Sequence, residues 1–156
     1  MVQGDSRLME ILALKVLITD QSANRLAAEA MPRDLGLRDL RVRFAPEGAY
    51  VSGAYQMLVS VPFETLWELS VQGGRIAARL ADVRVAKLGA GMLKGMILNA
   101  LADAARRQQG LYFREDTLLI DLDHVLASRG MPSRTNLTLV QCQVGSLIIE
   151  AAAPPV

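Results

Sequence analysis

From Val51 to Val71 the odd-numbered positions form an almost unbroken apolar set. Val51, Tyr55, Met57, Val59, Val61, Phe63, Trp67, Leu69 and Val71 share that parity, with only Gly53 and Thr65 among them. Ser52, Gln56, Ser60, Glu64, Glu68, Ser70 and Gln72 carry the other. A period of two is the signature of a strand with one buried face. At about 3.3 Å per residue a straight strand of this length would span roughly 70 Å. A compact domain of 156 residues has a radius of gyration near ~15 Å. The strand must therefore bend or the domain must be elongated, and Gly53 and Pro62 are the predicted bending points. In either case a long greasy sheet face has to be covered.

The natural cover is the helix predicted over Gly89 to Gln109. At about 100° per residue, Leu93, Ile97, Ala100, Leu101 and Ala104 fall on one apolar arc, and Asn99, Asp103, Arg106 and Arg107 lie opposite. Met92 and Met96 sit on the stripe that later carries Asn99 and Asp103, so something apolar is expected to meet them. Gly91 and Gly95, one turn apart, each lower helix propensity by about 1 kcal/mol, which predicts close approach of a strand or of another chain. Core packing is the ordinary explanation for all of these side chains.

The other segments surround this pair. Leu8 to Ile18 reads as a strand apolar on both faces, followed by a short helix with Thr19 and Asp20 as N-caps and Pro32 as its stop. Leu37 to Ala45 opens a hairpin through the turn Pro46-Glu47-Gly48. After Gly73-Gly74, the strand Arg75 to Lys87 changes parity, which predicts a bulge near Ala81-Asp82. A hairpin follows, Leu111 to Arg114 and Thr117 to Ile120. Then comes a helix capped by Asp121 and stopped after Arg129 by Gly130 and Pro132, its inner face Leu122, Val125 and Leu126. Thr135 to Val144 and Ser146 to Ala152 are strands joined around Gly145, before the tail Pro154-Pro155. Hairpins outnumber βαβ units, so the expected class is α+β: one domain over 1–156, a strongly curved, largely antiparallel sheet wrapped around a long central helix, with two short helices.

Composition narrows the function. Hydrophobic residues make up 51% and mean hydropathy is +0.24, yet aromatics are only 4%; the surplus is aliphatic and has to be buried, bound or paired. A formal charge of +1 argues against a dedicated nucleic-acid binder. Arg38, Arg41 and Arg43 in one strand, and Arg75, Arg79 and Arg84 in another, suit solvated sheet edges first and anionic headgroups second. No run approaches the ~18 apolar residues of a spanning helix, and Glu10 and Lys15 interrupt the greasiest early stretch. The chain as written is thus expected to be cytoplasmic, or periplasmic or in the cell envelope if a leader is removed.

Catalytic chemistry is sparse. His124 is the only histidine and Cys142 the only cysteine, which leaves no cluster for zinc and no assignable Ser-His-Asp set. Asp121 and Asp123 have structural roles as N-cap and first-turn charge. Gly89-Ala90-Gly91 lacks the Gly-Lys-Ser/Thr ending of a phosphate loop, though a helix N-terminus can receive a lipid phosphate. Neither an enzyme nor a cofactor or metal is expected.

Four stretches together resemble a known family: LITDQSANRLAAEA, LRDLRVRFAPEGAYVSGAYQMLVSVPF, VQGGRIAARLADVRV, and DTLLIDLDHVLASRGMP leading to LTLVQCQVGSLIIEA. Their order and spacing, from Leu17 to Ala152, are similar to the bacterial LmeA-type phospholipid-binding family, related to the tubular lipid-binding (TULIP) superfamily. The resemblance implies a helix cradled by a curved sheet, with an apolar groove for acyl chains. The expected ligand, a phospholipid or fatty-acyl compound, would lie between Met92 and Met96 on the helix and Tyr55, Met57, Val59, Phe63 and Trp67 on the strand. Peripheral membrane contact is compatible with this reading. The alternative is a non-enzymatic structural module whose apolar face is covered by homodimerisation or a protein partner.

Overall fold

The computed structural model describes residues 13–30, 33–85, 90–131 and 134–152. The expectations placed on Leu8 to Leu12, Pro32, Lys87, Gly89, Pro132 and Pro154-Pro155 lie outside these residues, as does the side chain of Leu93. The elements run β1 (Leu14–Thr19), α1 (Asp20–Ala30), a 3₁₀ turn (Arg33–Leu35), β2 (Leu37–Ala45), β3 (Gly48–Gln56), β4 (Ser60–Gln72), β5 (Arg75–Val85) and α2 (Ala90–Arg106). They continue with β6 (Leu111–Arg114), β7 (Thr117–Ile120), α3 (Leu122–Ser128), β8 (Asn136–Gln143) and β9 (Ser146–Ala152).

The class is α+β, and every strand pairing among the described residues is antiparallel. Two expectations are corrected. The strands form two sheets, a six-stranded one in the order β2-β3-β4-β5-β7-β6 and a three-stranded one in the order β1-β9-β8, instead of one curved sheet wrapped around a long central helix. The long strand is in fact a hairpin, β3 and β4, with the break at Met57 to Val59 and not at Gly53 or Pro62. The pairing Gln56↔Ser60 leaves a three-residue connection, which brings residues of equal parity opposite each other. The apolar alternation therefore survives the turn, and the two strands put one greasy face on the same side.

That face is buried in two places. At one end Phe44, Ala49 and Ile76 pack against Leu137, Leu147, Ile149 and Ala151 of the smaller sheet. At the other, Leu37 and Phe63 pack against Ile97 and Ala100 of α2, with Tyr55, Val85 and Leu101 around them. Ile97 is wholly inaccessible (0%), and burying a side chain of this size contributes roughly 1.5–3 kcal/mol. Thr65, the polar member of the alternation, is also wholly buried. Its hydroxyl donates to Val51 C=O at 2.9 Å and accepts from Trp67 Nε1–H at 2.8 Å. The predicted bulge is present: Leu66 pairs with Asp82 but Trp67 with Leu80, leaving Ala81 as the extra residue.

α1 closes the open edge of β2. Thr19 caps the helix, its Oγ1 accepting from Ser22 N–H at 3.2 Å. Asp20, expected as an alternative cap, instead accepts from Phe44 N–H at 2.8 Å. Asn24 pairs with both backbone groups of Val42, accepting from its N–H and donating Nδ2–H to its carbonyl. Gly145 N–H donates to Phe44 C=O at 3.0 Å. Side chains and one turn thus take the place of a neighbouring strand, leaving fewer orphan groups for another chain to pair with. β1 is buried on one face only: Leu14, Val16 and Ile18 join the core, whereas Leu17 is exposed.

Candidate functional site

The face between the two core clusters is incompletely filled. A cavity of about 200 Å³ lies there, lined by Ala49, Val51, Trp67, Leu69 and Ala78 of the sheet, Leu101 of α2, and Phe113 and Leu118 of β6 and β7. Every lining side chain is apolar. Their convergence follows from register, because Ala49↔Trp67 and Leu69↔Ala78↔Leu118↔Phe113 are successive cross-strand partners. Leu101 comes from the apolar arc of α2. The indole of Trp67, held by Thr65, meets the Phe113 ring edge to face, with centroids 6.1 Å apart at 88°. Two ring planes at right angles make a firm wall.

Phe113 has a second exposure. With Arg106, Arg107, Tyr112 and His124 it borders a depression of about 480 Å³. Arg107 makes a two-bond fork with Asp34, at 2.8 and 3.1 Å, and Arg106 pairs with Asp103 at 2.7 Å. The fork holds the Asp34 carboxyl below its ordinary range and raises Arg107 further. Tyr112 Oη and His124 Nδ1 are 3.5 Å apart. An apolar cavity and a depression bordered by Arg106 and Arg107 thus share one aromatic ring.

The predicted binding residues are distributed differently. Trp67 lines the cavity. Phe63 is core, 3% exposed, and meets α2 through Ile97, while Tyr55 is half-buried beside it. Met57 and Val59 stand in the exposed β3–β4 turn, and Met92 is 77% exposed. Met96 is half-buried. Beyond its chain neighbours and the backbone of α2 itself, no described residue comes within 4 Å of a Cβ built on Gly91 or Gly95, so the strand expected to approach there is not among the described elements. Sequence reasoning missed Phe113 and Leu118 as wall residues. The alternation within Leu111–Arg114 and Thr117–Ile120 was visible, but not which strands β7 and β6 join.

The groups weighed for catalysis have structural partners. Asp121 Oδ1 accepts from His124 N–H at 3.2 Å as the N-cap of α3, and Asp123 accepts from Thr135 Oγ1–H at 2.9 Å. Among the described residues no group of three or more His, Cys, Asp or Glu side chains could hold a metal. Cys142 is partly buried, and desolvation pushes its thiol up. No helix of the described residues is long and apolar enough to cross a membrane. No family model, curated protein or solved structure matches the chain.

Proposed function

We propose that this protein binds or carries a phospholipid or similar long-chain amphiphile and is not an enzyme. The observation that carries the reading is the single ring, Phe113, between a wholly apolar cavity and a depression bearing Arg106, Arg107 and His124. That juxtaposition suits a molecule with one greasy and one polar end. A 150 Å³ apolar cavity is enough to take up benzene, so about 200 Å³ accommodates a segment of one acyl chain. Holding more requires α2 to lift from the sheet around Leu101, and burying about ten methylenes there would contribute on the order of 8 kcal/mol gross. The resemblance to the LmeA-type family enters here as the idea that α2 and the apolar face of a curved sheet form the two walls of a groove. Met92 and Met96 would then flank its mouth.

The test is to extract the purified protein with organic solvent, identify co-purifying lipid by mass spectrometry, and compare retention of a fluorescent acyl phospholipid after gel filtration. Ala78→Leu, which fills the cavity, should lower retention several-fold, and Met96→Asp should lower it if the groove extends along α2. Equal retention by a folded Ala78→Leu variant removes the cavity as the site. A second reading is favoured by the surface over Gly91 and Gly95, which no other described element covers, beside exposed Met92: a structural module whose α2 face is covered by a second copy. A tight, lipid-free dimer in native mass spectrometry would support it.

A further inference from the structure

The β3–β4 turn has the wrong chemistry for water. Tight hairpin connections ordinarily carry Gly, Asn, Asp or Pro, yet this one is Met57-Leu58-Val59, and no charged residue occurs from Gly48 to Phe63. Leu58 is fully exposed, at 103%, with Met57 at 43% and Val59 at 55%. The backbone of the turn is partly satisfied from within. Met57 N–H donates to Val59 C=O at 3.0 Å, and Gln56 N–H to Gly36 C=O at 2.7 Å. Gln56 Nε2 donates to Met57 C=O at 3.4 Å. Internal bonds of this kind reduce the penalty for leaving water.

Behind the turn, an irregularity in β2 puts its arginines on one face. Strict alternation would put Arg38 opposite in sense to Arg41 and Arg43. The bulge between Arg38 and Arg41, with Asp39 at φ 55°, pairs Arg38 with Ala54 and Arg41 with Ser52, positions of equal parity on β3. All of these arginines then share the polar face. Leu40 turns to the apolar side, where Gly53 makes room; a Cβ there would stand 2.8 Å from Leu40 Cδ2. Arg43 lies over the Tyr50 ring at 4.1 Å. Arg79, Arg84, Arg106 and Arg107 have carboxylate partners, whereas Arg38 and Arg41 form no ion pair within the described residues.

We propose that the β3–β4 turn is a wedge that docks on an anionic bilayer, with Leu58 at its tip, Arg38 meeting the headgroups and Arg41 behind it. Ala54, the partner of Arg38, lies four residues behind Leu58, or about 13 Å along the strand. Interfacial elements sink about 5–10 Å, which brings Arg38 to the headgroup level, with its charged end reaching outward as long basic side chains do. A second copy is the poorer occupant, because a three-residue tip falls far short of the ~800 Å² per partner of a stable interface. The proposal deepens the lipid-carrier reading by naming the face that meets the donor membrane. It shares no residue with the cavity, so the two can fail separately.

The experiment is co-sedimentation of the full chain with phosphatidylcholine vesicles, with and without phosphatidylglycerol, for wild type, Leu58→Asp, and Arg38→Gln combined with Arg41→Gln. Wild type should bind the anionic vesicles. Leu58→Asp, at a fully exposed position that leaves the circular dichroism unchanged, should lose at least about tenfold in partitioning, as expected for exchanging an inserted leucine for a charge. The combined arginine variant should lower anionic-vesicle binding by at least about fivefold and leave neutral-vesicle binding unaltered. Leu58→Trp should blue-shift on binding anionic vesicles. Equal sedimentation of wild type and Leu58→Asp, or no sedimentation of wild type, overturns the wedge. So does a wild-type dimer that Leu58→Asp dissociates, which would assign the turn to a second copy. Leu58→Asp that still retains detergent-delivered phospholipid but no longer binds vesicles supports the wedge. Vesicle binding without any retained lipid supports the wedge and sinks the carrier reading.

Discussion

Replacing Thr65 by Val removes one hydroxyl of a wholly buried side chain and nearly nothing else. The hydroxyl accepts from Trp67 Nε1–H at 2.8 Å and donates to Val51 C=O at 2.9 Å. Valine has almost the same shape, so cavity and strain contributions are small. What remains is an indole N–H left without an acceptor in a site where Thr65 is 0% and Trp67 7% exposed. Orphaning a buried donor costs about 1–3 kcal/mol. Taking the middle of that range, about 2 kcal/mol, and ~2–4 °C per kcal/mol for a domain of this size, Thr65→Val should melt about 4–8 °C lower. Trp67→Phe removes the donor instead, and in the double variant no indole N–H is orphaned. The double variant should therefore be at least ~1 kcal/mol more stable than the sum of the single losses implies. Urea unfolding followed by far-ultraviolet circular dichroism measures all three, since the sole tryptophan is itself altered. Additivity within ~0.5 kcal/mol would refute the reasoning. It would mean that the indole finds another acceptor or that this pair is not closed in solution. Because Trp67 walls the cavity, the proposed lipid-carrier role further requires Thr65→Val to weaken lipid retention by releasing the ring.

Two further outcomes follow from other contacts. Asn24→Ala strips both side-chain partners from Val42 and should destabilise by about 1–2 kcal/mol, with faster aggregation on heating as the β2 edge opens; light scattering indistinguishable from wild type would contradict it. The folded-state value of Asp34 is lowered by its fork with Arg107. Its contribution to stability is therefore complete above the ordinary carboxylate value and is lost as pH falls through the lowered folded value. Asp34→Asn should flatten the acid limb of a stability-versus-pH curve and leave the neutral and alkaline limbs parallel to wild type, with the size of the effect limited by exposure and reduced by salt.

Local chemistry was readable wherever a residue type forces a backbone state or a face. The bulge at Ala81, the β6–β7 hairpin, the Asp121 cap and the Gly130 stop follow from alternation, capping and glycine preference. The same holds for the inner face of α2 at Ile97, Ala100, Leu101 and Ala104. The β3–β4 turn was hidden for a physical reason. Its three residues carry no turn chemistry, and an odd-length connection keeps the alternation in phase, so two strands read as one. Met92 and Met96 were judged from helical phase alone, which says which side chains point together but not what lies above them. The cavity needed the pairing of β7 with β5, a long-range choice that no local pattern encodes. The division into two sheets was illegible for the same reason, since β8 and β9 could equally have extended the larger one.

The smaller sheet joins the first described strand to the last. Leu14 lies opposite Ala151 and Thr19 opposite Ser146, so Leu14, Val16 and Ile18 emerge from the ribosome long before the strand that shelters them has been made. Synthesis at about 5–20 residues per second leaves that hydrophobic row waiting for roughly 7–27 s, and contacts this far apart in sequence are the slow ones to form. β1 and α1 are contiguous, so the helix whose Asp20 and Asn24 hold β2 in place hangs from a strand that docks last. The period of greatest exposure to chaperones, or to a neighbouring nascent copy, therefore falls between completion of the large sheet and arrival of β9.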